Sequence, residues 1–533
     1  MEWWELLMSK TIKIFIFIQI VIIVFLLGII VDRKVLNNSN IEKNISLEQN
    51  DNSHMNNNSK DNFDGRSNDN SSNQSNNTIN NLNSSDNLDE SQDDKLSENS
   101  KFNDIKNNDS SGVVLSNREV NYGALDVPDP STDDWLFTKD NKIIDSNGNE
   151  VWLTGINWFG YNTGTNTFDG LWASDLNTSI QEIANHGFNV IRVPFSAELI
   201  NQWKNGEYPN ANFNQATNDY LVGMDSLQIF EYVIGQCRAN GLKLIIDIHS
   251  AQTDASGHMI NLWYTDKVSV KEYYSALEWM ADRYKNDDTI IAYDLKNEPH
   301  GKPNEGDKAA KWDSSKDDNN WKYVAECAAN TVLSANPNVL VLVEGIEIYP
   351  IDIKNNSNFT SIDEKDYYFN WWGGNLRGVK DNPIDIGKYQ NKLVYSPHDY
   401  GPTVYEQPWF KKDYNFDSLM DDCWRDNWFF IYEDKTAPLL IGEWGGFMKE
   451  PNLTWMTYMR QLIKENKLNH TFWCFNANSG DTGGMVLDDF TTWDEEKYEF
   501  VKPVLWNNGT KFIGLDHEIP LGVNGISLGE FYK

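Results

Sequence analysis

Near the start of the chain one long apolar run, Ile14 to Val31, reads "IFIFIQIVIIVFLLGIIV", with Gln19 its only strongly polar residue. As a helix it is about 27 Å long, close to the thickness of a bilayer's hydrocarbon core. Lys13 stands at one end and Asp32-Arg33-Lys34 at the other, where long cationic side chains reach the interface. A cleaved signal peptide wants a shorter apolar core and small residues before the cut. Here Ile29-Ile30-Val31 precedes Asp32, which favours an uncleaved membrane anchor over a signal segment. From 35 to 118 apolar positions become sparse and Asn, Ser and Asp dominate, as in "NDNSSNQSNNTINNLNSSDN". Such a segment cannot offset the entropy of ordering its backbone, so a disordered, extended tether is expected.

From 119 to 533 the pattern becomes that of a folded domain. Apolar, β-branched runs recur: "VWLTGINWFG", "FNVIRVPFS", "LKLIIDIHS", "IIAYDLKNEP", "NVLVLVEGIE", "KLVYSPHDY", "PLLIGEWGG" and "HTFWCFNAN". Amphipathic stretches such as "SVKEYYSALEWMADRYK" and "WKYVAECAANTVLSA" lie between several of them. Buried strands alternating with helical crossovers predict an α/β fold, a (β/α)8 TIM barrel enlarged by loop insertions. The stretch after Trp506 has few clear signals and is assigned to the barrel base. The expected organisation is therefore 1–34 anchor, 35–118 linker and 119–533 barrel.

Composition narrows the partners. The formal net charge of -34 argues against nucleic acid and anionic lipid surfaces and suits a neutral substrate. The cysteines Cys237, Cys327, Cys423 and Cys474 form no CxxC pair and have no histidine at ligand spacing, so neither a zinc site nor any other metal or cofactor is expected. Their wide spacing and apolar neighbours favour buried free thiols. No EF-hand spacing appears in the Asp-rich loops. The domain is expected to be a monomer.

Chemistry gathers where the strands end. Arg192 lies in the second run, Asp247 and His249 close the third, and Asn297-Glu298-Pro299 closes the fourth. His398, Asp399 and Tyr400 close the sixth, Glu443 sits in the seventh and Trp473 in the eighth. Proline cannot donate to a sheet ladder, so Pro299 ends its strand and leaves an amide and a carboxyl at the barrel's C-terminal face, where barrel active sites are built. Two facing carboxyls are the minimum machinery for glycosidic cleavage: one protonates the leaving oxygen, the other attacks or activates water. Arg192 is the candidate to keep one of them ionised. Trp158, Trp263, Trp371, Trp372 and Trp409 are candidate cleft aromatics, with Trp473 the favoured floor for a sugar ring. Glu344 and Glu347, also at a strand end, are rival nucleophiles. Asp247 and Asp399 are read as buttresses, and His186 as structural.

The words "GINWFG", "GFNVIRVPFS", "NLWYT", "DLKNEPHG", "VEGIE", "WWGGNLRG", "YSPHDYGPTVY", "IGEWGG" and "TFWCFNANSGDTGGM" resemble, in order and spacing, a family 5 glycoside hydrolase of clan A, specifically its bacterial endo-β-1,4-glucanases. The resemblance runs from about 134 to 506. It implies a retaining mechanism with Glu298 as acid/base and Glu443 as nucleophile, supported by Arg192, His249, Asn297, His398, Tyr400 and Trp473. "DIHS" and "GEWG" vary slightly from the family pattern without removing either side chain. The anchor and tether have no counterpart in the family's catalytic core. The function expected is endo-acting hydrolysis of a β-glucan at the cell surface, or in the medium if the leader is cleaved. The alternatives are a β-mannanase, xyloglucanase or mixed-linkage glucanase, and a silent polysaccharide-binding surface protein.

Overall fold

The computed structural model describes residues 120–123 and 125–533. The predicted anchor and tether lie outside the described residues. Among the described residues no helix is long and apolar enough to cross a membrane.

Each of the eight runs contains one barrel strand: β1 (Thr154–Asn157), β2 (Val190–Ser196), β3 (Lys243–Ser250), β4 (Ile290–Asp294), β5 (Leu340–Val343), β6 (Leu393–Tyr395), β7 (Leu440–Ile441) and β8 (Asn469–Phe472). Their order is β6-β5-β4-β3-β2-β1-β8-β7, every neighbouring pair parallel. Parallel bridges Tyr395↔Leu439 and His398↔Glu443 join the two outer strands. The amides of Gly442 and Asp399 donate across that seam to Pro397 and Glu443, each at 3.1 Å, so the sheet closes on itself. Every residue of the eight strands is buried, which explains runs that are mainly apolar rather than alternating.

Helices supply the crossovers between parallel neighbours, among them α1 (Leu176–Asn185), α2 (Ala197–Lys204), α3 (Ser226–Ala239), α4 (Val270–Arg283), α5 (Trp321–Ala335) and α6 (Asn452–Asn466). The start of α4 shows local sequence at work. Ser269 caps the Glu272 amide while the Glu272 carboxylate returns to the Ser269 amide at 2.8 Å, a reciprocal cap worth about 1 kcal/mol. After β5 a small antiparallel pair, Ile348–Pro350 with Tyr367–Phe369, delivers Trp371 and Trp372 toward the barrel mouth.

The C-terminal stretch packs on the base. The Trp506 amide donates to Thr154 Oγ1 at the start of β1 (3.1 Å), and Asn189 before β2 donates to the Ile513 carbonyl (3.3 Å). Lys243, the first residue of β3, places its ammonium between Asp134 (2.7 Å), Asp288 (3.0 Å) and Asp516 (3.1 Å). Burial disfavours that charge, but the three carboxylates outweigh it and hold the lysine protonated. One cation thus pins the N-terminal segment, the turn before β4 and the tail to one strand end. All four cysteines are unpaired; Cys237, Cys423 and Cys474 are buried as expected, whereas Cys327 is only half-buried.

Candidate active site

TIM-barrel interiors are ordinarily filled by layers of branched apolar side chains. Here one layer is ionic. Arg192 in β2 is completely buried. Its Nε donates to Asp294 (2.9 Å), Nη1 to Asn157 (3.0 Å) and Glu443 (2.9 Å), and Nη2 to Asn297 (3.0 Å) and Glu344 (3.2 Å). Asp247 lies 3.2 Å from Nη2. Burial opposes the guanidinium charge, yet Asp247, Asp294, Glu443 and Glu344 together keep it firmly protonated. An isolated buried charge would be prohibitive, so this arginine and these carboxylates require one another. Asp294 and Asn157 went unread in the sequence, although an aspartate within "IIAYD" was a usable sign, because apolar strands rarely carry one without a partner.

Around this hub the strand ends converge. Glu443 has one oxygen on Arg192 and the other on the Tyr400 hydroxyl at 2.6 Å. Glu298 faces it, its Oε1 3.0 Å from His398 Nδ1. One carboxylate oxygen each of Glu298 and Glu443 lies within 4.8 Å of the other and of a His398 ring nitrogen. Glu298 sits at φ +52°, a left-handed conformation costing a non-glycine residue about 1–2 kcal/mol; its amide donates to Glu344 Oε2 at 2.7 Å. Arg192 donates to the side-chain Oδ1 of Asn297, and the Asn297 Nδ2 is buried without a partner. Glu344 is itself wholly buried, engaged by Arg192, His398 and the Glu298 amide. Glu347 accepts from the Gly301 amide at 3.0 Å and pairs with Lys302, and so holds the loop after β4.

The aromatic candidates separate. Trp473 is half-buried, and its ring lies nearly parallel to His249 and to Phe159, each 5.6 Å away. Trp372 is half-buried and stacks on His300 at 3.7 Å. Trp371, Trp409 and Tyr400 are largely buried, at 6–7 % exposure. Trp158 and Trp263 do not face the cleft. Trp158 is fully buried, stacked on Phe168 at 4.0 Å with its N–H on the Asp169 carbonyl. Trp263 is fully buried against Trp321 at 5.0 Å. Side chains alternate along an extended chain, so Phe159 turns toward the mouth and its neighbour Trp158 turns into the wall. The His186 ring stacks on Trp493 at 3.6 Å, with its Nδ1 2.7 Å from the Glu182 carbonyl.

Burial and hydrogen bonding set the charges. Burial drives the His249 ring well below its ordinary range, leaving a neutral imidazole whose Nδ1 is 2.7 Å from Asp247. His398 is pushed the other way: burial is outweighed by Glu344, Glu443 and Glu298, and the ring is held as imidazolium. Burial alone would raise Glu298, but the His398 bond and charge outweigh it and hold that carboxyl below the usual range. Burial raises Glu443, which His398 and Arg192 counter and the Glu298 charge reinforces.

Asp399 points away from the mouth, toward Trp428 Nε1 (3.4 Å) and Cys423 Sγ (3.9 Å). Burial pushes its carboxyl up to about 7 from 3.8, despite the tryptophan N–H groups. A raised carboxyl stabilises the fold fully below pH 3.8 and loses that contribution as pH rises to about 7. The loss is about 4 kcal/mol. Asp399→Asn is therefore expected to gain on the wild type steadily between pH 4 and 8 in urea unfolding. A stability difference independent of pH would show that Asp399 titrates normally.

A closed parallel barrel with two carboxyls opposed across its C-terminal mouth, one braced by arginine and the other by histidine, defines the glycoside hydrolase class. The family model for cellulase (glycosyl hydrolase family 5) matches residues 144–479. Over 436 residues the chain is 49% identical to Endoglucanase G of Acetivibrio thermocellus, spanning 76% of this chain and 77% of that one. Endoglucanase B of the same organism is 45% identical over 450 residues, 78% and 79% of the two chains. Among solved structures, an endocellulase from the archaeon Pyrococcus horikoshii superposes with a TM-score of 0.62 at 31% identity, covering 70% of this chain and 98% of that one. The chain belongs to the cellulase family, glycosyl hydrolase family 5.

Proposed function

We propose that this protein is a retaining endo-β-1,4-glucanase in which Glu443 is the nucleophile and Glu298 the acid/base. The observation that carries the reading is that one carboxylate oxygen of Glu298 and one of Glu443 face each other within 4.8 Å, both beside a His398 ring nitrogen. Inverting enzymes need roughly 6.5–9.5 Å to seat a water opposite the sugar, whereas retaining ones hold the pair roughly 5–5.5 Å apart.

The roles follow from the neighbours. Arg192 and Tyr400 fix both oxygens of Glu443 and favour its ionised form for attack on the anomeric carbon. Glu298 gives a proton to the leaving oxygen as that bond breaks, then takes one from the water that hydrolyses the glycosyl ester. The unpartnered Asn297 Nδ2 is aimed to donate to the sugar 2-hydroxyl. Neutral His249 hydrogen-bonds sugar hydroxyls, and Trp473 with Phe159 offers flat apolar surface to a pyranose face.

Proton NMR of early products from cello-oligosaccharides should show the β-anomer first; an α-anomer would mean inversion. On carboxymethylcellulose, mannan, lichenan and xyloglucan, reducing ends should appear fastest from the cellulose derivative. A faster release from mannan, or no release from any, would favour the corresponding alternative.

A polymer cannot cross a bilayer, so the domain works outside the cell. The run Ile14 to Val31 supports anchoring there by an uncleaved helix. Activity should then sediment with membranes and stay there in high salt; soluble protein beginning near Asp32 would mean a cleaved leader.

A further inference from the structure

Glu344 is not one of the two proposed catalytic carboxyls, yet it touches the attachments of both. It is the first residue after β5 and has no exposed surface. Its Oε2 accepts the Glu298 amide at 2.7 Å. Its Oε1 lies 3.1 Å from His398 Nε2 and 3.2 Å from Arg192 Nη2. The His398 contact is ionic, the N–H not being aligned as a hydrogen bond. The other His398 nitrogen, Nδ1, is 3.0 Å from Glu298 Oε1. Glu298, His398 and Glu344 therefore form a closed ring: Glu344 holds the main chain of Glu298 directly and its carboxyl through the imidazole. The loop after β5 is shaped for this carboxylate. Gly373 has φ +71°, and a Cβ there would stand 2.2 Å from Glu344 Oε2, so only glycine lets that loop close over it.

We propose that Glu344 is a positioning residue for the acid/base, locking the left-handed Glu298 backbone through its amide and orienting His398 against the Glu298 carboxyl, with which the ring exchanges the proton that Glu298 delivers. The proposal rests on the reading of Glu298 as the acid. In the empty site the proton is on His398 Nδ1. As substrate covers the site it passes to Glu298 Oε1, leaving a neutral imidazole. Glu298 then transfers it to the glycosidic oxygen, which takes the electron pair of the breaking C–O bond while Glu443 forms the ester. In the second step the proton from water returns to Glu298 and then to His398, so nothing is consumed beyond the water.

The groups that set the proton's affinity come from several strands. Within 3.6 Å of the imidazole are Glu298 after β4, Glu344 after β5 and Glu443 after β7. Asp294 in β4 and Asp247 in β3 interact with its charge from farther off. Arg192 in β2 opposes it through Glu344 and Glu443. Burial raises the Glu344 carboxyl, and the His398 and Arg192 charges beside it counter that shift.

Glu344→Gln in the full chain keeps the shape and removes the charge. With a carboxylate gone, the Glu298–His398 pair releases its proton at lower pH. The alkaline limb of kcat/KM should move acidward by about one pH unit. On cello-oligosaccharides kcat should fall about 10–100-fold with KM within about threefold. Glycosyl-enzyme formation from a dinitrophenyl cellobioside, whose phenol needs no proton, should fall by less than about threefold. Glu344→Asp should restore the alkaline limb. An unmoved limb, or equal losses on both substrates, would reduce Glu344 to a structural part and overturn the proposal. Should Glu344→Gln not fold, nitrogen-15 NMR of wild-type histidines decides: both His398 nitrogens protonated at pH 7 supports the proposal, and a neutral ring from pH 5 to 7 overturns it. Near-normal cello-oligosaccharide turnover by Glu298→Ala would sink the acid assignment itself. An impaired Glu298→Ala beside an unshifted Glu344→Gln would sink only the role of Glu344.

Discussion

Glu443→Ala is expected to lower kcat on cello-oligosaccharides on the order of 10⁴-fold or more, the scale seen when the attacking group of a catalytic unit is removed. No other carboxylate replaces it. Glu344 is sealed behind Arg192 and His398, and Glu347 is held in the loop after β4. The fold should survive, because Arg192 keeps Asp294, Asn157, Asn297 and Glu344. No covalent intermediate should form from any substrate, including activated aryl cellobiosides. Azide enters the vacated space and attacks directly, so the rescued product should be the α-glycosyl azide. Mass spectrometry of the protein and NMR of the product check both points; a trapped glycosyl-enzyme in this variant would remove Glu443 from the nucleophile's place.

Glu298→Ala should behave in the opposite way. Loss of acid catalysis costs roughly 10²–10⁴-fold where the leaving group is a poor one, so hydrolysis of cello-oligosaccharides should nearly stop. An aryl cellobioside whose phenol leaves without a proton should still load Glu443. The ester then accumulates, because the same residue serves as base for water in the second step. Azide needs no base and should release it as the β-glycosyl azide. If the two variants gave each other's products, the assignments of Glu298 and Glu443 would be exchanged. Near-normal turnover of oligosaccharides by Glu298→Ala would end the acid assignment.

Much of the barrel could be read directly. Strands buried on both faces are mainly apolar, and Pro299 with the polar residues before it marks where its run stops. Strand ends in a parallel barrel share one face, so residues separated by 145 positions or more, such as Glu298 and Glu443, were expected to meet. The aromatic assignments were harder. Trp158 and Trp263 are tryptophans beside active-site strands, and composition treats them like Trp473. Which way a ring turns depends on strand alternation and on the partners behind it, Phe168 for one and Trp321 for the other.

The resemblance to family 5 glycoside hydrolases singled out Glu298 and Glu443, and the sequence by itself determined the succession of strands and crossovers and the ends on which the polar groups sit. These are local properties: periodicity, turn chemistry and the residue at the last strand position act over a few bonds. Only the tertiary structure decided that Glu344 belongs behind the pair and that Asp294 and Asn157 complete the Arg192 shell. It also decided that Phe159 rather than Trp158 turns toward the mouth. The physical reason is that the energy of a buried charge comes from what surrounds it in three dimensions. Arg192 is tolerable because Asp294, Asn297, Glu344 and Glu443 reach it from three other strand ends, a set that exists only after the barrel has closed.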